Sequence, residues 1–110
     1  MLANKHEVGG LSGPPAKPLA LKALKALRAE LPTSVPLIGC GGITTGEDAL
    51  DFAAAGASAV QLYTSFGFRG VGAPRFVKDE LAEALQARGT SWQAVAGGKA
   101  LPALLDAEKR

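Results

Sequence analysis

The chain has 110 residues, 47% of them hydrophobic and 20% charged, which suffices for one folded domain with a core of its own. Its net charge of +2 is scattered, and a single cysteine and a single histidine exclude an internal disulfide framework and a Cys/His zinc site. No apolar run approaches the roughly 18 residues that suggest a membrane span, and the amino terminus MLANKHEVGG lacks the apolar core of a signal peptide.

In chain order, residues 1–18 read as a shaped loop. Gly9, Gly10 and Gly13 are followed by Pro14, Pro15 and Pro18; glycine permits close backbone approach and proline suits a first helical turn. An amphipathic helix is expected over 19–31, with Leu21, Leu24, Leu27 and Leu31 as its apolar stripe and Pro32 as its stop. Lys22, Lys25 and Arg28 lie opposite the leucines and read as a solvated face, not a nucleic-acid surface. Residues 35–40 predict a short buried strand, with Pro36 tolerable near its start.

Thr45 is placed to cap a helix over 47–55, with Asp48 three residues on as a relative of the capping-box glutamate and Gly56 as a left-handed stop. A second buried strand follows at 58–63. Residues 64–72 then form a glycine- and aromatic-rich loop or short helical turn. A helix over 75–88 stops at Gly89, and Ser91 caps a last short turn through Trp92 and Val95. The order loop, helix, strand, helix, strand, helix is a parallel βα alternation, whose strands join by a right-handed crossover. Two fully buried strands do not make a sheet alone. The alternatives are a self-associating miniature sheet or a carboxy-terminal fragment of a larger barrel or doubly wound domain.

Two loops at strand carboxyl ends carry the chemistry: Gly41-Gly42 after the first strand and Tyr63-Thr64-Ser65 after the second. Adjacent parallel strands set them side by side. Their amides then either cradle one phosphate, as loops after the last barrel strands do, or serve only a tight βα turn. Glu47 and Asp48 oppose a dianion placed directly on the helix between the loops. Tyr63 lines a pocket or bridges core and surface. Cys40 reads as a small core residue, His6 as a surface histidine, and Trp92, Phe66, Phe68 and Phe76 as packing residues. Asp48 and Asp51 fall near one another on the helix and read as solvated carboxylates.

Three stretches in series, EVGGLSGPP (7–15), PLIGCGGITTGEDAL (36–50) and AGASAVQLYTSFGFRG (55–70), resemble the carboxy-terminal third of class 2 dihydroorotate dehydrogenase, the quinone-linked flavoenzyme of pyrimidine synthesis. The resemblance runs from about residue 7 to 89. It implies an α/β fold, about the last two βα units of a (β/α)8 TIM barrel, with 1–98 a partial FMN-binding barrel domain and 99–110 a tail. It implies FMN as cofactor: Gly13 approaches the flavin, Gly41 and Gly42 meet its phosphate, and the main chain at Tyr63 and Thr64 completes the phosphate site.

In the family, dihydroorotate gives a hydride from C6 to the flavin while a serine base removes a C5 proton, orotate leaves, and ubiquinone reoxidises the flavin. The resemblance places that serine, the orotate-binding asparagines, the lysine beside the flavin and the quinone-tunnel helices upstream of Glu7. No catalytic residue and no metal ligand is therefore expected in this sequence, and Ser12 is not a substitute base. MLANKH is not the strand expected before GGLSG, and membrane association is expected only through the family's amino-terminal part. Localisation carried over from the family is the mitochondrial inner membrane. Alternatives to this reading are a phosphate-binding barrel fragment of a non-flavin isomerase or aldolase, and a noncatalytic interaction remnant.

Overall fold

Pro14 opens a short 3₁₀ turn, Pro14–Ala16, that runs straight into helix α1, Lys17–Glu30. The computed structural model describes residues 5, 6 and 8–96; Glu7, Gly97, Gly98 and the expected tail at 99–110 lie outside the described residues. α1 starts two residues before the expected 19–31 because Pro18 occupies its first turn, where a missing N–H costs nothing. Leu24 is buried and Leu21 partly so, while Leu27 is half-exposed. Lys22 and Lys25 are solvated as expected. Arg28 is not: its guanidinium donates to the carbonyls of Pro32 (2.6 Å) and Val35 (3.0 Å), fastening the turn that leads to the sheet.

Strand β1, Ile38–Cys40, pairs in parallel with β2, Ala59–Gln61, in the register Ile38 to Ala59, Gly39 to Val60 and Cys40 to Gln61. Helix α2, Gly46–Ala55, makes the crossover between them. Its start is a complete capping box: Thr45 Oγ1 accepts from the Asp48 amide, and the Asp48 carboxylate accepts from the Thr45 amide. Its end is Gly56 at φ +119°, the left-handed stop foreseen. A single helical turn α3, Phe66–Arg69, follows β2, then α4, Ala73–Ala87, and α5, Trp92–Ala96.

The core lies on the helical side of the sheet, around α2. Phe52 is fully buried there, with Leu24, Ile43, Ala49, Ala57 and Val77 about it. Trp92 packs on this cluster and its indole N–H donates to the Ser58 carbonyl (3.0 Å), while Ser58 N–H donates to the Leu37 carbonyl (2.7 Å). α5 is thereby tied to the point where β2 begins.

The strands are not buried on both faces, contrary to expectation. Paired residues of a parallel ladder share a face, and the face carrying Ile38, Cys40, Ala59 and Gln61 is exposed, Ile38 at 64%. Only Gly39 and Val60 turn toward the helices. Among the described residues no layer covers the second face, which is why Cys40 is exposed and not a core residue. Phe66, Phe68 and Phe76 are also substantially exposed, against the packing role expected of them.

Gly39 fits under Phe52 only because it has no side chain: a Cβ there falls 2.5 Å from Phe52 Cδ1 and 3.2 Å from Ala57 Cβ. Gly39→Ala is expected to cost about 1–3 kcal/mol in chemical denaturation by overpacking. Gly67→Ala, in open space, should stay within about 0.5 kcal/mol of wild type.

Burial pushes the Asp48 carboxyl up, but hydrogen bonds from Lys17 and from the Thr44 amide and hydroxyl outweigh it and lower it from 3.8 to about 2. A carboxyl lowered by folding stabilises above its unfolded value, and that contribution is lost as pH falls through the folded value. The stability gap between wild type and Asp48→Ala should therefore narrow, by on the order of 2 kcal/mol, between pH 4 and pH 2. A gap constant across that window removes the charge from the account.

Candidate functional site

The carboxyl ends of β1 and β2 open into a cleft of about 210 Å³ walled by three segments: 11–13 ahead of the 3₁₀ turn, 40–44 after β1 and 61–65 after β2. Gly13, Gly41, Gly42, Tyr63 and Thr64, the five residues singled out from the sequence, all line it.

Gly13, Gly42 and Thr64 among them are closely packed. Gly13 is buried with φ +82°, and a Cβ on it would stand 3.3 Å from Thr64 Cγ2. Gly42, at φ +78°, lies so close to the start of α1 that a Cβ there would stand 2.8 Å from Lys17 Cβ and 2.9 Å from both Lys17 N and Gly13 O. Gly41 is at φ +116° and backs onto Ala20. Positive φ disfavours any other residue at these places, and at Gly42 the space is also missing. The result is a wall of bare main chain. Among the described residues, no group accepts a hydrogen bond from the amides of Gly42, Tyr63 or Thr64. The Ser65 hydroxyl, at the end of the same wall, is buried and has no partner among the described residues. Tyr63 itself is 82% exposed, so its ring is on the rim and does not join the core.

The amino terminus of α2, next door, is already filled. Asp48 Oδ2 accepts from the amides of Thr44 (2.9 Å) and Thr45 (3.1 Å) and from the Thr44 hydroxyl (2.9 Å), and the Gly46 amide donates to Glu80 Oε2 (2.8 Å). The end of α2 that attracts anions is thus taken up by protein acceptors.

Lys17 Nζ bridges Asp48 (2.6 Å) and Asp51 (2.7 Å), so these two carboxylates are paired and not simply solvated. Burial pulls the Lys17 ammonium down, but its bonds to Asp48 and then Asp51 prevail and hold it above the ordinary lysine value. Among the described residues, the lining of the cleft contains no charged side chain.

Lys17, Arg69 and Glu80 were missed by reading the sequence. Lys17 sits 31 residues from Asp48, and Arg69 and Glu80 lie on two separate helices, so neither pairing falls on one helix face. The capping position of Asp48 and its nearness to Asp51 were legible in the sequence.

Comparison with known proteins fits this architecture. A sequence model of the family described as dihydroorotate dehydrogenase matches residues 1–85. The mitochondrial dihydroorotate dehydrogenase (quinone) of Lachancea kluyveri is 48% identical over 96 residues, which are 86% of this chain and 22% of that protein. The Candida glabrata protein of the same description is 49% identical over 94 residues, 84% of this chain and 21% of that protein. The ligand-free dihydroorotate dehydrogenase structure from Eimeria tenella superposes with a TM-score of 0.80 at 42% identity, over 88% of this chain and 27% of that one. This chain spans about a fifth of the length of the curated relatives it matches. A parallel βα fold that superposes on a TIM-barrel enzyme, and a family match over most of the sequence, lead to one conclusion: the chain belongs to the dihydroorotate dehydrogenase family and forms part of its barrel.

Proposed function

We propose that this chain supplies the phosphate-binding end of the FMN site in a quinone-linked dihydroorotate dehydrogenase, which oxidises dihydroorotate to orotate for pyrimidine synthesis. One observation carries the reading: Gly13, Gly42 and Thr64, from three separate segments, pack together beside the carboxyl ends of adjacent parallel strands, and no described group accepts from the Gly42 and Thr64 amides.

Within that site Gly42, Tyr63 and Thr64 donate main-chain hydrogen bonds to the phosphate, Gly41 lets the chain turn, and Gly13 permits close approach of the flavin body. FMN, when bound, would supply the redox chemistry between dihydroorotate and ubiquinone. The chain's own part is to bind and orient. No residue in it acts as base, and alone it neither turns over dihydroorotate nor holds FMN tightly. The proposed location is the mitochondrial inner membrane, reached through the amino-terminal part of the family. No described helix is long and apolar enough to cross a membrane. The family assignment leaves the non-flavin isomerase or aldolase reading without support.

Replacing the matched segment of the Lachancea kluyveri enzyme by residues 8–96 of this chain should give a hybrid that retains FMN and reduces quinone with dihydroorotate, whereas the 110-residue chain alone shows no turnover. Gly42→Ala in the hybrid should weaken FMN retention about tenfold or more, from backbone strain and contact with Lys17. A folded hybrid that lacks flavin, or turnover by the chain alone, contradicts the proposal.

A further inference from the structure

Helix α3 has no buried residue, and Phe66 and Phe68 are 39% and 58% exposed. A helix of one turn has no stability of its own, so something other than burial holds it in place. The Arg69 side chain does this. Nη1 donates to the Thr44 carbonyl (2.7 Å), Nη2 to Glu80 Oε1 (2.6 Å), and the guanidinium lies 5.3 Å over the Phe76 ring. Glu80 Oε2 in turn accepts from the Gly46 amide (2.8 Å).

This arrangement spans the cleft. Thr44 belongs to the wall after β1, and Arg69 ends the turn that follows the wall after β2 directly. The Thr44 amide and hydroxyl are held from the other side by Asp48. Thr44 is thus fixed at both ends of its backbone, and α3 is hung from it by one guanidinium.

From this geometry we infer that Arg69 is a positioning residue: through Thr44 and Glu80 it fixes the distance between the Gly42 wall and the Tyr63-Thr64 wall, and so tunes the site for a phosphoryl group without touching it. The inference rests on the phosphate reading above. It differs from a general stabilising role in one respect. Loss of the clamp displaces the amides that face the phosphate, so it should weaken a phosphorylated ligand and leave the same ligand without phosphate unchanged.

The test is amide-resolved NMR titration of the full 110-residue chain with FMN and, separately, riboflavin. Wild type is expected to bind FMN measurably better than riboflavin, with the Gly42, Tyr63 and Thr64 amides shifting only for FMN. Arg69→Ala should weaken FMN about tenfold while riboflavin binding stays within about twofold. Arg69→Lys, which keeps a cation but not the fork, and Glu80→Gln should fall between. These two milder variants carry the measurement if Arg69→Ala does not fold. Equal binding of FMN and riboflavin by wild type overturns the phosphate reading itself. A wild-type preference for FMN that the variants preserve overturns the role of Arg69 alone, as does an equal loss of both ligands.

Discussion

The Asp48 carboxylate gathers four donors: Lys17 Nζ on one oxygen, and the Thr44 amide, Thr44 hydroxyl and Thr45 amide on the other. Three consequences follow from that one group. It caps α2, so the crossover helix starts at a fixed residue. It holds the start of α1 to α2 through Lys17, and Lys17 is the residue against which Gly42 is pressed. It also occupies the helix end that would otherwise compete with the cleft for an anion. The loop after β1 takes its shape from these contacts, and the glycines there only make the shape permissible.

Around the cleft, the cations serve structure. Lys17 is spent on two aspartates, and Arg69 on a carbonyl and a glutamate. The Arg69 hydrogen bond, followed by that of the Gly46 amide, holds the Glu80 carboxyl below the ordinary glutamate range, and Glu80 in turn holds the guanidinium more firmly protonated. On the proposed reading, a phosphate is recognised by the geometry of main-chain amides, and selectivity follows from where the loops stand.

Much of this was legible in the sequence. Caps at Thr45 and Gly56 have local signatures, and they fixed α2 to within a residue. Pro14, Pro15 and Pro18 marked the entry to α1, and Ser91 marked the start of α5, where its hydroxyl accepts from the Ala94 amide. Gly41, Gly42, Tyr63 and Thr64 line one cleft because parallel strands present their following loops on one side, whereas Gly13, which follows no strand, was placed with them only by the resemblance. Burial was not legible. A run such as VPLIGC looks the same whether one face or two are covered, since coverage depends on layers and not on the run. The same limit explains the exposure of Cys40 and Phe68. Arg28, Lys17 and Arg69 look like ordinary surface cations in any local window. Their partners are set by how the helices pack, across separations of up to 34 residues.

Trp92 is the single tryptophan of the chain, and its indole donates to the carbonyl of Ser58, whose own amide bonds back to Leu37 ahead of β1. The one strong fluorophore is therefore wired to the junction where the two strands come together. Its emission wavelength reads out whether α5 is docked and whether that junction is closed, without any label. Nature has put an optical gauge on the seam of this sheet.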